Sequence, residues 1–236
     1  MGRFPNIAAA KAKTGAAKGK LYGMYAKEIY QVAKNGGVTP EGNPSLKRLI
    51  EKAKKDQVPS DVIKRAIDKV SSGAGEDYET LTYEIFGPAG STLMVKCLTD
   101  NVNRSVSDLR AVINKCHVKM GAMGSVSYMY DNLCIVGFKG LSEDEVMEAL
   151  IANDVDFVDL EVDGEQVIIY GQPQDLFKIK TAITSVKDVD FTIDEISLLP
   201  KDRISLDGES LDEFNRLLAM LDEVDDVQSV YHNVNL

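Results

Sequence analysis

The stretch LCIVGFKGLSEDEVMEALIANDVDFVDLEVDGEQVIIY (residues 133–170) decides the fold through its changing periodicity. Leu133 to Phe138 is an apolar run of strand length. Ser142 follows, with Glu145 three residues later as a capping box, and Leu141 and Val146 flank the start as a hydrophobic staple. The spacing therefore predicts a helix from Ser142. Val158, Leu160 and Val162 then alternate with Asp159, Glu161 and Asp163, which is the period of a half-buried strand. Asp163-Gly164 supplies a hairpin turn into Val167-Ile168-Ile169-Tyr170. Downstream, Leu176, Ile179, Ile183 and Val186 recur at helical spacing, and Phe191 to Leu198 reads as a closing strand. The order β-α-β-β-α-β over residues 133–200 predicts a ferredoxin-like unit.

Working outward, residues 78–132 show the same alternation. Leu81, Tyr83 and Ile85 alternate with polar residues, and Gly87-Pro88-Ala89-Gly90 turns the chain. Leu93, Val95 and Cys97 alternate with Met94 and Lys96 in a second strand. A helix follows through Val106, Leu109, Ile113 and Cys116, and Val126, Tyr128 and Tyr130 alternate with serines in a further strand. Residues 201–236 offer a strand (Ile204, Leu206), a helix (Leu211, Phe214, Leu217, Leu218, Leu221) and a strand (Val227, Val230). That tail is too short to fold alone, and the piece before residue 133 lacks one such unit. We expect residues 76–132 plus 201–236 to form one discontinuous α/β domain, with 133–200 inserted into it.

Residues 21–70 read as three helices. Leu21, Met24, Tyr25, Ile29, Val32 and Ala33 share one face, and Asn35-Gly36-Gly37 ends it with a left-handed turn. Asn43 caps the second helix with Pro44 at its first position. Leu46, Leu49, Ile50 and Ala53 line the inner face. Pro59-Ser60 opens the third, with Val62, Ile63, Ala66, Ile67 and Val70 inward. Ser71 to Gly75 reads as a linker. The overall expectation is α+β: a three-helix domain (with a basic arm, residues 1–75) followed by two α/β ferredoxin-like domains, one inserted into the other.

Charge divides the chain in the same place. The net charge is −10, yet residues 1–75 hold 15 Lys+Arg against 6 Asp+Glu, a net of +9, and residues 76–236 sum to −19. A cationic front end can meet a polyanion while an acidic body is repelled from it. Residues 1–20 carry Arg3, Lys11, Lys13, Lys18 and Lys20 among Ala and Gly, with no acid before Glu28. They read as a basic arm that orders on a partner. Phosphate binding needs cations spread over one continuous face. Lys11, Lys13, Lys18 and Lys20 are the candidate arm contacts; Lys47, Arg48, Lys52, Lys54, Lys55, Lys64 and Arg65 are candidates on the helices. About six contacts would cost roughly a thousandfold in affinity between 50 and 200 mM salt.

Other chemistries find no support. Two histidines, His117 and His232, stand far apart, and there is no nucleophile elbow, Walker loop or Rossmann glycine pattern. No catalytic residue, metal ligand or cofactor is therefore expected. Gly121 to Gly124 contains a GxxG, which reads as a turn rather than the backbone clamp of a KH module. Asp222, Glu223, Asp225 and Asp226 could hold Mg²⁺ through carboxylate oxygens; a solvated helix end is the preferred reading. Cys97, Cys116 and Cys134 form no CxxC pair and fit reduced thiols of a cytoplasmic protein. No apolar run approaches the length of a membrane helix, and the start lacks a secretory h-region.

Several segments resemble one family. GGVTPEGNPSL (36–46), YEIFGPAGS (83–91), LTDNVNRSVSDLR (98–110), MGAMGSVSYMYD (120–131) and DDVQSVYHNV (225–234) are similar to the YebC/PmpR-type family, which includes the mitochondrial translational activator of cytochrome c oxidase. The resemblance implies a helical N-terminal domain, two α/β domains, and no catalytic activity or cofactor. Its members are described as probable DNA-binding transcriptional regulators, and also as ribosome-associated factors that help translation through proline-rich stretches. Gly2-Arg3-Phe4-Pro5-Asn6 replaces the common Gly-His-Ser-Lys-Trp opening, which places the chain in the branch opening with Gly-Arg, and Val102 stands where a basic residue is common. Arg104 and Arg110, near the turn this motif marks, are candidates for a second contact patch; a structural Arg bonded to loop carbonyls is the competing reading. The resulting expectation is a non-enzymatic nucleic-acid-binding regulator of gene expression, acting on DNA or on ribosomal RNA. A protein-interaction scaffold is the rival from another class.

Overall fold

A computed structural model describes residues 18–73, 75 and 77–236. Lys11 and Lys13 of the basic arm lie outside the described residues. Three helices come first: α1 (Lys18–Gly36), α2 (Pro44–Lys55) and α3 (Ser60–Ser71). They bury Tyr25, Ile29 and Ala33 of α1, Leu46, Leu49 and Ala53 of α2, and Ile63 and Ala66 of α3 around one core. Each large apolar side chain removed from water there contributes about 1.5–3 kcal/mol.

The join between α1 and α2 shows how local sequence sets this packing. Asn43 is buried; its Oδ1 accepts from Leu46 N at 3.1 Å, while its Nδ2 donates to Val32 O at 3.1 Å and Gly37 O at 2.9 Å. One side chain therefore caps α2 and ties down the end of α1. Gly36 is required by that approach, since a Cβ there would stand 2.6 Å from Asn43 Nδ2, and Gly37 turns the chain at φ 99°. Helix α1 starts earlier than its apolar stripe suggests. Lys18 and Lys20 belong to its first turn, not to an arm. The Lys20 side chain is only 14% exposed, with Nζ 3.8 Å from the Asp222 carboxylate.

The remaining elements are β1 (Glu79–Phe86), β2 (Thr92–Thr99), α4 (Val102–Lys115), β3 (Lys119–Met120), β4 (Tyr130–Lys139), α5 (Glu143–Ala152), β5 (Asp159–Asp163), β6 (Gln166–Gly171), α6 (Leu176–Val186), β7 (Phe191–Pro200), β8 (Ile204–Ser205), α7 (Gly208–Asp222), β9 (Val227–His232) and β10 (Val234–Asn235). The chain is thus α+β, with helices first and sheets after. One sheet has the order β3-β1-β2-β9 and a second β5-β6-β4-β7, with β8 and β10 pairing parallel. In the second sheet β4 lies antiparallel between β6 and β7. This is the ferredoxin-like order, reached from 133–200 as its periodicity predicts.

Contacts gather the chain into two compact units: Gly124–Leu206 with Tyr231–Leu236, and the described residues up to Met123 with Asp207–Val230. In the first, Val136, Phe138, Val146, Leu150, Ile169, Ile179 and Ile183 form the core between sheet and helices. The Ser142–Glu145 capping box forms as expected, with both reciprocal hydrogen bonds present. In the second, α4 and α7 lie against each other, and Leu109, Phe214, Leu217 and Leu221 are buried.

One strand expectation is corrected and another is borne out with a difference in burial. Residues 127–129 form a 3₁₀ turn, not a strand, and Tyr128 is largely exposed; the alternation of aromatics with serines is a turn whose tyrosines happen to fall two apart. In β2, Met94 is buried along with Leu93, Val95 and Cys97, so only Lys96 is exposed. A strand covered on both faces loses the simple alternation.

Candidate nucleic-acid interface and the charged node behind it

Helices α2 and α3 present most of the expected cations. Lys47, Lys54, Lys55, Lys64 and Arg65 are exposed, whereas Arg48 and Lys52 are partly buried. Lys47 and Lys54 are seven residues apart on α2 and so share one face. The face is interrupted: Glu51 stands one turn after Lys47, and Arg65 is ion-paired with Asp61 on its own helix. That pair is exposed on both sides, and such pairs contribute little to stability. Lys18 is exposed at the start of α1. Arg110 is exposed on α4.

Arg104 is bonded within the fold, as the competing structural reading expects, but to other partners. Asn101 caps α4 by accepting from Arg104 N at 3.1 Å, which fixes the backbone of the Thr99–Arg104 turn. The Arg104 guanidinium then reaches Asp100 Oδ1 at 2.7 Å and Asp226 Oδ2 at 3.0 Å. Its partners are two carboxylates rather than loop carbonyls. Hydrogen bonds to Asp100 and Asp226 push its pKa further up, and the bond from Arg104 holds the Asp100 carboxyl below its usual value.

Asp226 is the centre of this node and the residue that sequence reasoning missed. It was grouped with Asp222, Glu223 and Asp225 as a solvated helix end, yet its side chain is 2% exposed. Oδ1 accepts from Lys27 Nζ at 2.9 Å, and Oδ2 accepts from Thr99 Oγ1 at 2.9 Å. Burial by itself would raise the Asp226 pKa. Donation from Lys27, Thr99 and Arg104 outweighs it and holds the carboxyl below the usual aspartate value. An unpaired carboxylate at this depth would be costly, so the three donors are what allow it to stay charged. The only advance signal was its place in DDVQSV, beside the strand signal of Val227 and Val230 rather than within the helix.

The node borders an open cleft of ≈ 650 Å³ that also exposes Asp108, Lys115, Glu223 and Asp225. Among the described residues, no group of three or more His, Cys, Asp or Glu side chains is arranged to hold a metal ion. No described helix is long and apolar enough to cross a membrane.

A helical module with exposed lysines, tied through the buried Asp226 carboxylate to an antiparallel sheet, makes this an α+β protein with its cations gathered toward the front of the chain. The family model for the TACO1/YebC protein N-terminal domain matches residues 2–73, and that for the TACO1/YebC second and third domain matches residues 78–234. The chain belongs to the TACO1/YebC family. It is 46% identical over 99% of its length to a probable transcriptional regulatory protein of Alteromonas mediterranea, covering 98% of that protein. It is 44% identical to another so named from Shewanella oneidensis, covering 100% of this chain and 99% of that one. A crystal structure of a conserved hypothetical protein from Aquifex aeolicus superposes with a TM-score of 0.75 at 34% identity, over 95% of this chain and 93% of that one.

Proposed function

We propose that this chain is a non-enzymatic, nucleic-acid-binding regulator of gene expression that acts on DNA in the cytoplasm. The observation that carries the reading is the charge division. Residues 1–75 carry a net +9 and expose Lys47, Lys54, Lys55 and Lys64, ahead of a body that sums to −19. In this reading residues 1–75 grip phosphates. Residues 76–132 with 201–236, and the inserted 133–200, form the acidic body that stays clear of them. Lys11, Lys13 and Lys18 extend the grip, and Arg110 adds a cation from α4, whereas Lys20, 14% exposed beside Asp222, is held within the fold. Arg104, occupied by Asp100 and Asp226, positions the turn and contacts no phosphate. The names of the bacterial relatives, probable transcriptional regulatory proteins, support a role in regulating gene expression.

Crosslinking in cells followed by sequencing tests the target. Reads concentrated on promoter DNA support the proposal, and reads on ribosomal RNA would replace it with a ribosome-bound translation role. Substituting Lys47, Arg48, Lys54 and Lys55 with Glu should abolish nucleic-acid retention at moderate salt. Unchanged retention would leave the lysines a solubilising role and favour a protein-interaction scaffold.

A further inference from the structure

Between α1 and α3 lies a cavity of ≈ 360 Å³ lined by Gly23, Lys27, Tyr30, Arg65, Lys69 and Tyr78, together with small and aliphatic side chains. Three features mark this groove, which shares Lys27 and Tyr78 with the cleft at Asp226. It is cationic: among the described residues no carboxylate lines it, and Arg65 and Lys69 do, while the Lys27 that also reaches it is held by Asp226. It is aromatic: the Tyr30 and Tyr78 rings meet edge to face at 5.7 Å, and the Lys34 and Lys69 ammonium groups each sit 5.7 Å from the Tyr30 centroid. Its walls are also kept low by small residues, Gly23, Ala26 and Ala66, and a Cβ placed on Gly23 would meet nothing within 4 Å. Tyr30 is buried and Tyr78 only half-buried, so the aromatic surface on offer is mainly that of Tyr78.

We propose that this groove takes one nucleotide of a single-stranded nucleic acid, the base against Tyr78 and the phosphate toward Arg65 and Lys69. The inference rests on the reading that the chain binds nucleic acid and adds what that reading lacks, a place for an unpaired base. Cationic grooves with an aromatic platform bind single strands because every base has a π-face, and the cations follow the backbone. A base held in a duplex is stacked and cannot enter. The Arg65–Asp61 ion pair is no obstacle. Both side chains are exposed, so the guanidinium can exchange the carboxylate for a phosphate at little cost.

The test compares the full chain with Gly23→Leu and Tyr78→Ala by fluorescence anisotropy, using a labelled oligothymidylate and a labelled duplex of equal length. Gly23→Leu fills the groove from an exposed helical position where leucine is the better helix former, so it keeps the fold, which thermal melting verifies. Both variants should lose about tenfold in single-strand affinity while duplex affinity holds. Unchanged single-strand binding, or an equal loss on both probes, overturns the groove. If Lys47, Lys54 and Lys64 changed to Glu still lower binding in that case, nucleic-acid recognition stands without it. A wild-type chain that binds neither probe removes both proposals.

Discussion

Lys27 on α1 donates to the buried Asp226 carboxylate at 2.9 Å, across 199 residues of sequence. That bond, with those from Thr99 and Arg104, fastens the helical module to the sheet at the point where β9 begins. Leu98 N also donates to Asp226 O at 2.9 Å, so backbone and side chain of the same residue are both engaged.

Replacing Asp226 with Ala should therefore cost about 3 kcal/mol in unfolding free energy. That is the low end for breaking a buried pair, because Lys27 and Arg104 are 23% and 46% exposed and water screens them. Lys27→Met should cost less, since Thr99 and Arg104 still satisfy the carboxylate. Urea denaturation of the three proteins at neutral pH gives the order. The depressed Asp226 pKa means its contribution is present above the ordinary aspartate value and disappears as pH falls through the lower, folded one.

His232 supplies a second acid-sensitive element at higher pH. It is fully buried; burial, reinforced by Arg203, lowers its pKa from 6.5 to about 4. The unfolded chain takes up a proton below 6.5 that the folded chain refuses until about 4. Stability is thus full above pH 6.5 and falls on acidification toward pH 4, by roughly 3 kcal/mol in total. Urea midpoints measured across that window should slope in the wild type and flatten in His232→Gln.

The capping box predicts a local effect. Ser142 Oγ accepts from Glu145 N at 3.3 Å, and Ser142 N donates to the Glu145 carboxylate at 2.7 Å. Ser142→Ala should destabilise the chain by about 1 kcal/mol. Hydrogen exchange should show the loss concentrated at the first turn of α5.

Salt dependence measures how many of the exposed lysines touch phosphate. If Lys47, Lys54 and Lys64 each neutralise one, changing all three to Ala should reduce the slope of log K against log salt by roughly 2.7 on duplex DNA. Arg104→Ala should leave the slope alone and lower stability instead. A change in slope for Arg104 would return it to the interface.

What could be read in the primary structure was whatever depends on near neighbours. Caps at Asn43 and Ser142, the Asp163-Gly164 hairpin and the shift from helical to alternating period all emerge within a few residues, because backbone hydrogen bonding and side-chain alternation are short-range. The error at 127–129 comes from the same source. A turn with evenly spaced aromatics imitates a strand over so few residues.

Long-range assembly settled the rest. Asp226 looked like one more surface acid, and Arg104 like a spare cation, because nothing near them in the chain announces their partnership or that of Lys27. Lys20, read as part of an extended arm, meets Asp222 only after α1 and α7 come together. The amino-acid order was enough to specify the elements, the ferredoxin-like β-α-β-β-α-β run and the split of charge. Which charges face a ligand and which are consumed in holding the molecule together depends on burial and distance, and those exist only once remote segments meet.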